Sequence, residues 1–128
     1  MATGDHPEHF RRAHMPETTE VRCTDALTGG MKGRKDEEYS YMPPLSLAEL
    51  AKVYGYGAKK YAPRNMEKGY PWGWSFSAMM RHSWAFWRGE NIDPESGCQH
   101  LAHVAWHCFT LMDYIQRKVG TDDRSKAT

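Results

Sequence analysis

At 128 residues the chain is long enough for one domain with one modest core. A charged fraction of 26% and a formal net charge of +1 argue against a general binder of nucleic-acid duplexes. No apolar run reaches the length of a membrane span, the N-terminus lacks the basic-then-apolar layout of a secretory signal, and the cysteines Cys23, Cys98 and Cys108 suggest no disulfide framework, so a cytoplasmic protein is expected.

Residues 1–20 are polar and aperiodic, interrupted by Pro7 and Pro16, and are expected to form a mobile arm. The folded domain is expected over residues 21–119. It opens with a short extended segment, Val21 to Leu27, and the loop TGGMKGRK from Thr28 to Lys35. Gly29, Gly30 and Gly33 permit close backbone approach, and Lys32 and Lys35 supply charge. Such a loop suits a phosphate held by backbone N–H groups and lysine, although the spacing of a Walker A loop is absent. A solvated basic turn fits the same residues.

Pro43 and Pro44 close this loop. Ser46-Leu47-Ala48-Glu49 has the form of a capping box opening the first helix, whose apolar stripe is Leu47, Leu50, Ala51, Tyr54, Ala58 and Tyr61. Glu49 completes the box and is also a candidate metal ligand. From Lys59 to Trp74 runs a loop in which Lys59, Lys60, Arg64 and Lys68 alternate with Tyr61, Tyr70, Trp72 and Trp74. Cations interleaved with aromatics suit a phosphate and a stacked base, and a loop of this length favours a functional reading over a surface connection.

A second helix is expected over Ser75 to Arg88. Phe76, Met79, Met80, Ser83, Trp84 and Trp87 form its stripe, with Arg81 and Arg88 on one flank and His82 on the other. Gly89 ends it. Glu90, Asp93 and Glu95 then make an acidic turn that suits a hard divalent cation. In the purely structural reading Asp93 caps a third helix, with Pro94 at its first position and Glu95 facing the helix dipole. That helix, expected to run to about Val119, carries an apolar stripe of Leu101, Val104, Ala105, Cys108, Leu111, Met112 and Ile115. Beside it lies a second stripe of Ser96, His100, His103, His107, Thr110 and Tyr114. Three histidines on one helix face suit a transition metal shared with His82, general-base work, or a hydrogen-bonded seam between helices. Residues 120–128 are expected to fray.

In this order along the chain, TGGMKGRK, GAKKYAPRNMEKGYPW, RHSWAFWRGENIDPESG and HLAHVAWH resemble a phage-encoded family described as dATP/dGTP diphosphohydrolase (N-terminal domain type). The resemblance spans about Val21 to Ile115. It implies hydrolysis of purine deoxynucleoside triphosphates between the α and β phosphates, giving monophosphate and pyrophosphate in the host cytoplasm. It also invites comparison with the all-α NTP pyrophosphohydrolases, which hold Mg²⁺ with an ExxE on one helix and an ExxD on the next. Here Glu90-x-x-Asp93 is present, but the first helix offers only Glu49.

The resulting expectation is an all-α domain of about three main helices with long ordered loops, assembled as a dimer or larger homo-oligomer. Lys32, Lys35, Lys59, Lys60, Arg64 and Arg81 would offset triphosphate charge. Glu90 and Asp93, with Glu49 or Glu95, would hold Mg²⁺, with Mn²⁺ or a histidine-bound transition metal as alternatives. His82, His100 or His103 would position or deprotonate water. Tyr61, Trp72 or Trp74 would stack on the base, and Asn65 would read a base edge or hold a phosphate. The rivals are a nucleotide-sequestering module without catalysis and a structural or assembly protein whose histidine stripe is a subunit seam.

Overall fold

The computed structural model describes residues 20–126, so the expected arm lies, apart from Glu20, outside the described residues. Two strands come first, β1 (Val21–Thr24) and β2 (Met31–Arg34), paired antiparallel with Val21 opposite Arg34 and Thr24 opposite Met31. The fold is therefore predominantly helical rather than all-α. The amides expected to cradle a phosphate are spent on the hairpin turn. Asp25 accepts from the Thr28 amide at 2.9 Å through its carboxylate and from the Gly29 amide at 2.9 Å through its carbonyl, and Gly30 donates to Thr28 Oγ1 at 3.1 Å.

Helix α1 (Pro44–Lys60) starts ahead of the expected capping box. Proline at the first helical position has its φ preset and no N–H to leave unsatisfied, so Pro44 nucleates the turn and Ser46 lies inside it without capping. Glu49 is turned to Lys52 instead, at 2.7 Å. Helix α2 (Trp72–Trp87) also starts early, because its first amides find acceptors in the C-terminal segment. Trp72 N–H donates to the Thr121 carbonyl at 3.0 Å and Gly73 N–H to Asp123 Oδ1 at 2.8 Å. Residues 121–123, expected to fray, thus pair with the start of α2. Gly69 lets the two segments meet: a Cβ there would stand 2.7 Å from the Gly120 nitrogen.

Helix α3 (His100–Arg117) begins later than expected. Asp93 caps no helix. Its carboxylate accepts from the Ser96 hydroxyl at 2.8 Å and from the Glu95 and Ser96 amides at 3.3 Å, and its own amide donates to the Cys98 carbonyl at 2.8 Å. Residues 93–98 are thereby closed into a side-chain-stapled turn rather than a helical one. Helix α3 packs against both α2 and α1.

The faces these helices bury are not the ones apolarity suggests. On α3 the buried residues are His100, Ala102, His103, Thr110 and Tyr114, while Leu101, Cys108, Met112 and Ile115 are exposed. On α2 Ser75 and Ala85 are buried, and Phe76, Trp84 and Trp87 are exposed. The apolar cluster proper is Val53, Cys98 and Ala102, with Trp106 against it.

Candidate functional site

The inward histidine face lines a cleft of about 1000 Å³ between α1, the loop after it, α2 and α3. Its floor is a network of imidazoles. His100 Nε2 lies 2.7 Å from Glu90 Oε1, and His100 Nδ1 lies 2.9 Å from His82 Nδ1. His103 Nε2 lies 2.7 Å from Ser96 Oγ, whose hydroxyl is committed to Asp93. The rings of His82 and His103 stack in parallel, with centroids 4.2 Å apart and 3° between planes.

For neutral rings these contacts fix the tautomers. A Glu90 carboxylate only accepts, so His100 donates from Nε2 and accepts at Nδ1. His82 must then donate from Nδ1, which leaves a lone pair on its Nε2. Ser96 donates to Asp93 and so accepts from His103 Nε2–H, leaving the lone pair on His103 Nδ1. Two stacked imidazoles are each left with one basic nitrogen.

Burial favours the neutral form of both rings. It lowers His82 to about 4, with His103 and His100 adding repulsion that outweighs the pull of Asp93. His103 is lowered for the same first reason, against the pull of Asp93. Next along the stripe His107 is lowered to about 4 by burial and its neighbours His82 and His103, and its Nδ1 sits 3.0 Å from Ser75 Oγ. Burial pushes the Asp93 carboxyl up, but hydrogen bonds from Ser96 and the Glu95 amide outweigh it and hold it below its usual value.

Around this floor stand the cations Lys60, Arg64 and Arg81, the rings of Tyr61 and Trp74, and Asn65. Lys60 is held by Glu95 at 3.1 Å, and Tyr56 donates to the same carboxylate at 2.6 Å. Lys60 raises its pKa through that partnership, and Glu95 lowers its own through Tyr56 and then Lys60.

Of the residues singled out from sequence, the cleft gathers His82, His100, His103, Lys60, Tyr61, Arg64, Asn65, Arg81, Asp93 and Glu95. Glu90 touches it through His100. Lys32 and Lys35 sit on the hairpin, and Lys59, Trp72 and Glu49 are likewise absent from the cleft wall. Trp72 has a different task, donating from Nε1 to the Val119 carbonyl at 2.9 Å. Sequence reasoning missed Tyr56 and Ser75. Tyr56 stands one helical turn before Lys60, and that spacing was its signal.

The four carboxylates expected to share Mg²⁺ have four separate partners: Lys52 for Glu49, His100 for Glu90, Ser96 for Asp93, and Tyr56 with Lys60 for Glu95. The facing Nδ1 atoms of His82 and His100 make half of a transition-metal donor set. Among the described residues no group of three or more His, Cys, Asp or Glu side chains gathers to complete one. The donor arrangement as it stands does not fit a resident metal ion.

Among the described residues no helix is long and apolar enough to cross a membrane. No curated protein and no solved structure matches the chain. The match that exists covers the hairpin turn, all three helices and every residue of the cleft: over residues 26–124 the chain belongs to the family described as dATP/dGTP diphosphohydrolase, N-terminal.

Proposed function

We propose that the cleft binds a purine deoxynucleoside triphosphate and hydrolyses it between the α and β phosphates. The observation that carries this reading is the stacked pair His82 and His103, held neutral by burial, each with one basic nitrogen, on the floor of a cleft walled by cations and aromatics. Kept neutral at neutral pH, each imidazole has a lone pair free to accept a proton.

In this reading Arg81, Arg64 and Lys60 offset the triphosphate charge, Lys60 leaving Glu95 to do so. Tyr61 and Trp74 take the base, and Asn65 reads its edge. Water gives its proton to His82 Nε2 or His103 Nδ1 as its oxygen bonds the α phosphorus. The bond from that phosphorus to the bridging oxygen breaks, and pyrophosphate leaves with the electron pair. Glu90 acts through His100 and Ser96 through its bond to His103, each presenting a base in the required tautomer. A divalent cation, Mg²⁺ or Mn²⁺, enters as the counter-ion of the triphosphate. The substrate is the free nucleotide rather than a duplex.

Incubation of the purified chain with each nucleoside triphosphate in ¹⁸O-labelled water, with Mg²⁺, Mn²⁺ or a chelator, tests the proposal. Deoxypurine monophosphate carrying the label, with unlabelled pyrophosphate, is the expected outcome. Stoichiometric nucleotide binding without product replaces catalysis by sequestration. Absence of binding removes both and leaves the structural role.

A further inference from the structure

Among the described residues, the outward stripes of α2 and α3 form an apolar face that the cleft does not use. On α2, Phe76, Trp84 and Trp87 are 54%, 55% and 76% exposed; on α3, Leu101, Met112 and Ile115 are 47%, 48% and 46% exposed. The stripes flank a seam where Cys108 Sγ meets Met79 Sδ at 3.6 Å. A groove of about 530 Å³ lies on α2 among Phe76, Met80 and Trp84, edged by Arg81 and Arg88. At ~150–250 Å² for a fully exposed aromatic, these six side chains present roughly 600 Å² of apolar surface. That is the upper end of what a soluble monomer leaves uncovered, at about 300–600 Å². It approaches the ~800 Å² each partner gives to a standard interface.

We propose that this face is the contact surface of a homodimer, in which α2 and α3 of one copy lie against the same two helices of a second copy. Besides an area close to what each partner of a dimer gives, two observations select a second copy as the occupant. The stripes carry no charge, and Arg81 and Arg88 stand at the edge, an apolar centre with a charged rim. Among the described residues the buried apolar ones are Leu50, Val53, Ala85, Cys98, Ala102 and Tyr114, half of them small, so the core they form is thin and the second copy supplies what it lacks.

Arg81 lines both the groove and the cleft, so the partner orders a side chain of the site. The dimer nevertheless stands or falls independently of catalysis, because its readout is mass and thiol access.

The test is light scattering on the full chain from low to high micromolar concentration, together with maleimide labelling of the native thiols. The expected result is twice the chain mass, with Cys108 labelling slowed as concentration rises and Cys23, on the hairpin, unaffected. Trp84→Glu and Met112→Lys should each give monomers with an unchanged helical spectrum. A monomer at every concentration with concentration-independent Cys108 labelling overturns the proposal. A monomer whose Cys108 is shielded also overturns it, since another part of the chain then covers the face. A dimer that survives both substitutions places the contact elsewhere and overturns it too.

Discussion

Two faces of the same pair of helices have exchanged their usual places. The inner face of α2 and α3 is polar, carrying Ser75, His82, His100, His103 and His107; the outer face carries Phe76, Trp84, Leu101 and Met112. A polar face survives burial only when its groups are satisfied. Here Glu90, Ser96 with Asp93, and Ser75 each occupy one imidazole nitrogen. What directs a stripe inward is therefore the hydrogen-bond partners waiting for it, and apolarity alone did not decide the matter. The inner face gives up apolar packing for a hydrogen-bonded cleft, which leaves the outer face exposed within one copy.

The comparison can be broken most decisively from the inner side. Replacing His82 by alanine removes one of the two neutral bases, and hydrolysis is expected to fall by about 10²–10⁴-fold while the helical spectrum persists. An unchanged turnover number would make the buried histidines a seam and nothing more. Asp93→Ala removes the acceptor for two amides and the Ser96 hydroxyl, and unfolding in urea should show a loss of about 2 kcal/mol. Ser96 would lose its anchor as well, so His103 should become mobile in the same variant.

Acid sharpens the contrast by charging one face only. His82 and His107 titrate at about 4 in the fold and at about 6.5 when unfolded. Between those values the unfolded chain binds more protons, so stability falls as pH drops from 6.5 towards 4. Melting temperatures measured across that window should decline, and the decline should flatten in His107→Gln. The smallest effect is expected on the hairpin. Lys32→Ala and Lys35→Ala should change nucleotide affinity by less than about 0.5 kcal/mol, the range of surface substitutions, whereas Arg81→Ala should weaken it and lessen its salt dependence.

Much of this arrangement was legible in the sequence. The three helices follow from their periodicity and Gly89 marks the end of the second, while their starts at Pro44, Trp72 and His100 depart from the expected Ser46, Ser75 and Asp93. The histidine stripe on α3 was visible as a set of residues at helical spacing, and it proved to be the floor of the cleft. The basic and aromatic loop after α1 supplied Lys60, Tyr61, Arg64 and Asn65 to the wall. Hidden were the relations that depend on distant chain segments. Asp93 has the form of a helix cap, and only the return of Cys98 to its amide shows it closing a turn. The capping box at Ser46 lost to a proline two residues earlier. The acidic trio stands together in sequence, and sequence cannot show that His100, Ser96 and Tyr56 each partner one of its carboxylates. The hairpin was seen as glycine and lysine, while its actual fastener is Asp25.

The pairing of Gly73 with Asp123 spans fifty positions, and Trp72 leans on Val119 and Thr121 in the same way. Helix α2 carries Arg81 and His82, so one wall of the cleft is pinned by a segment that follows it in the chain. As the chain leaves the ribosome, α1 and its loop emerge without that pin. Order of assembly is thus written into the molecule: the wall that carries Arg81 and His82 is fastened only after α3 and the segment beyond it have been made, and a chain stopped short of Thr121 would keep its histidines but lack the clasp that aims them.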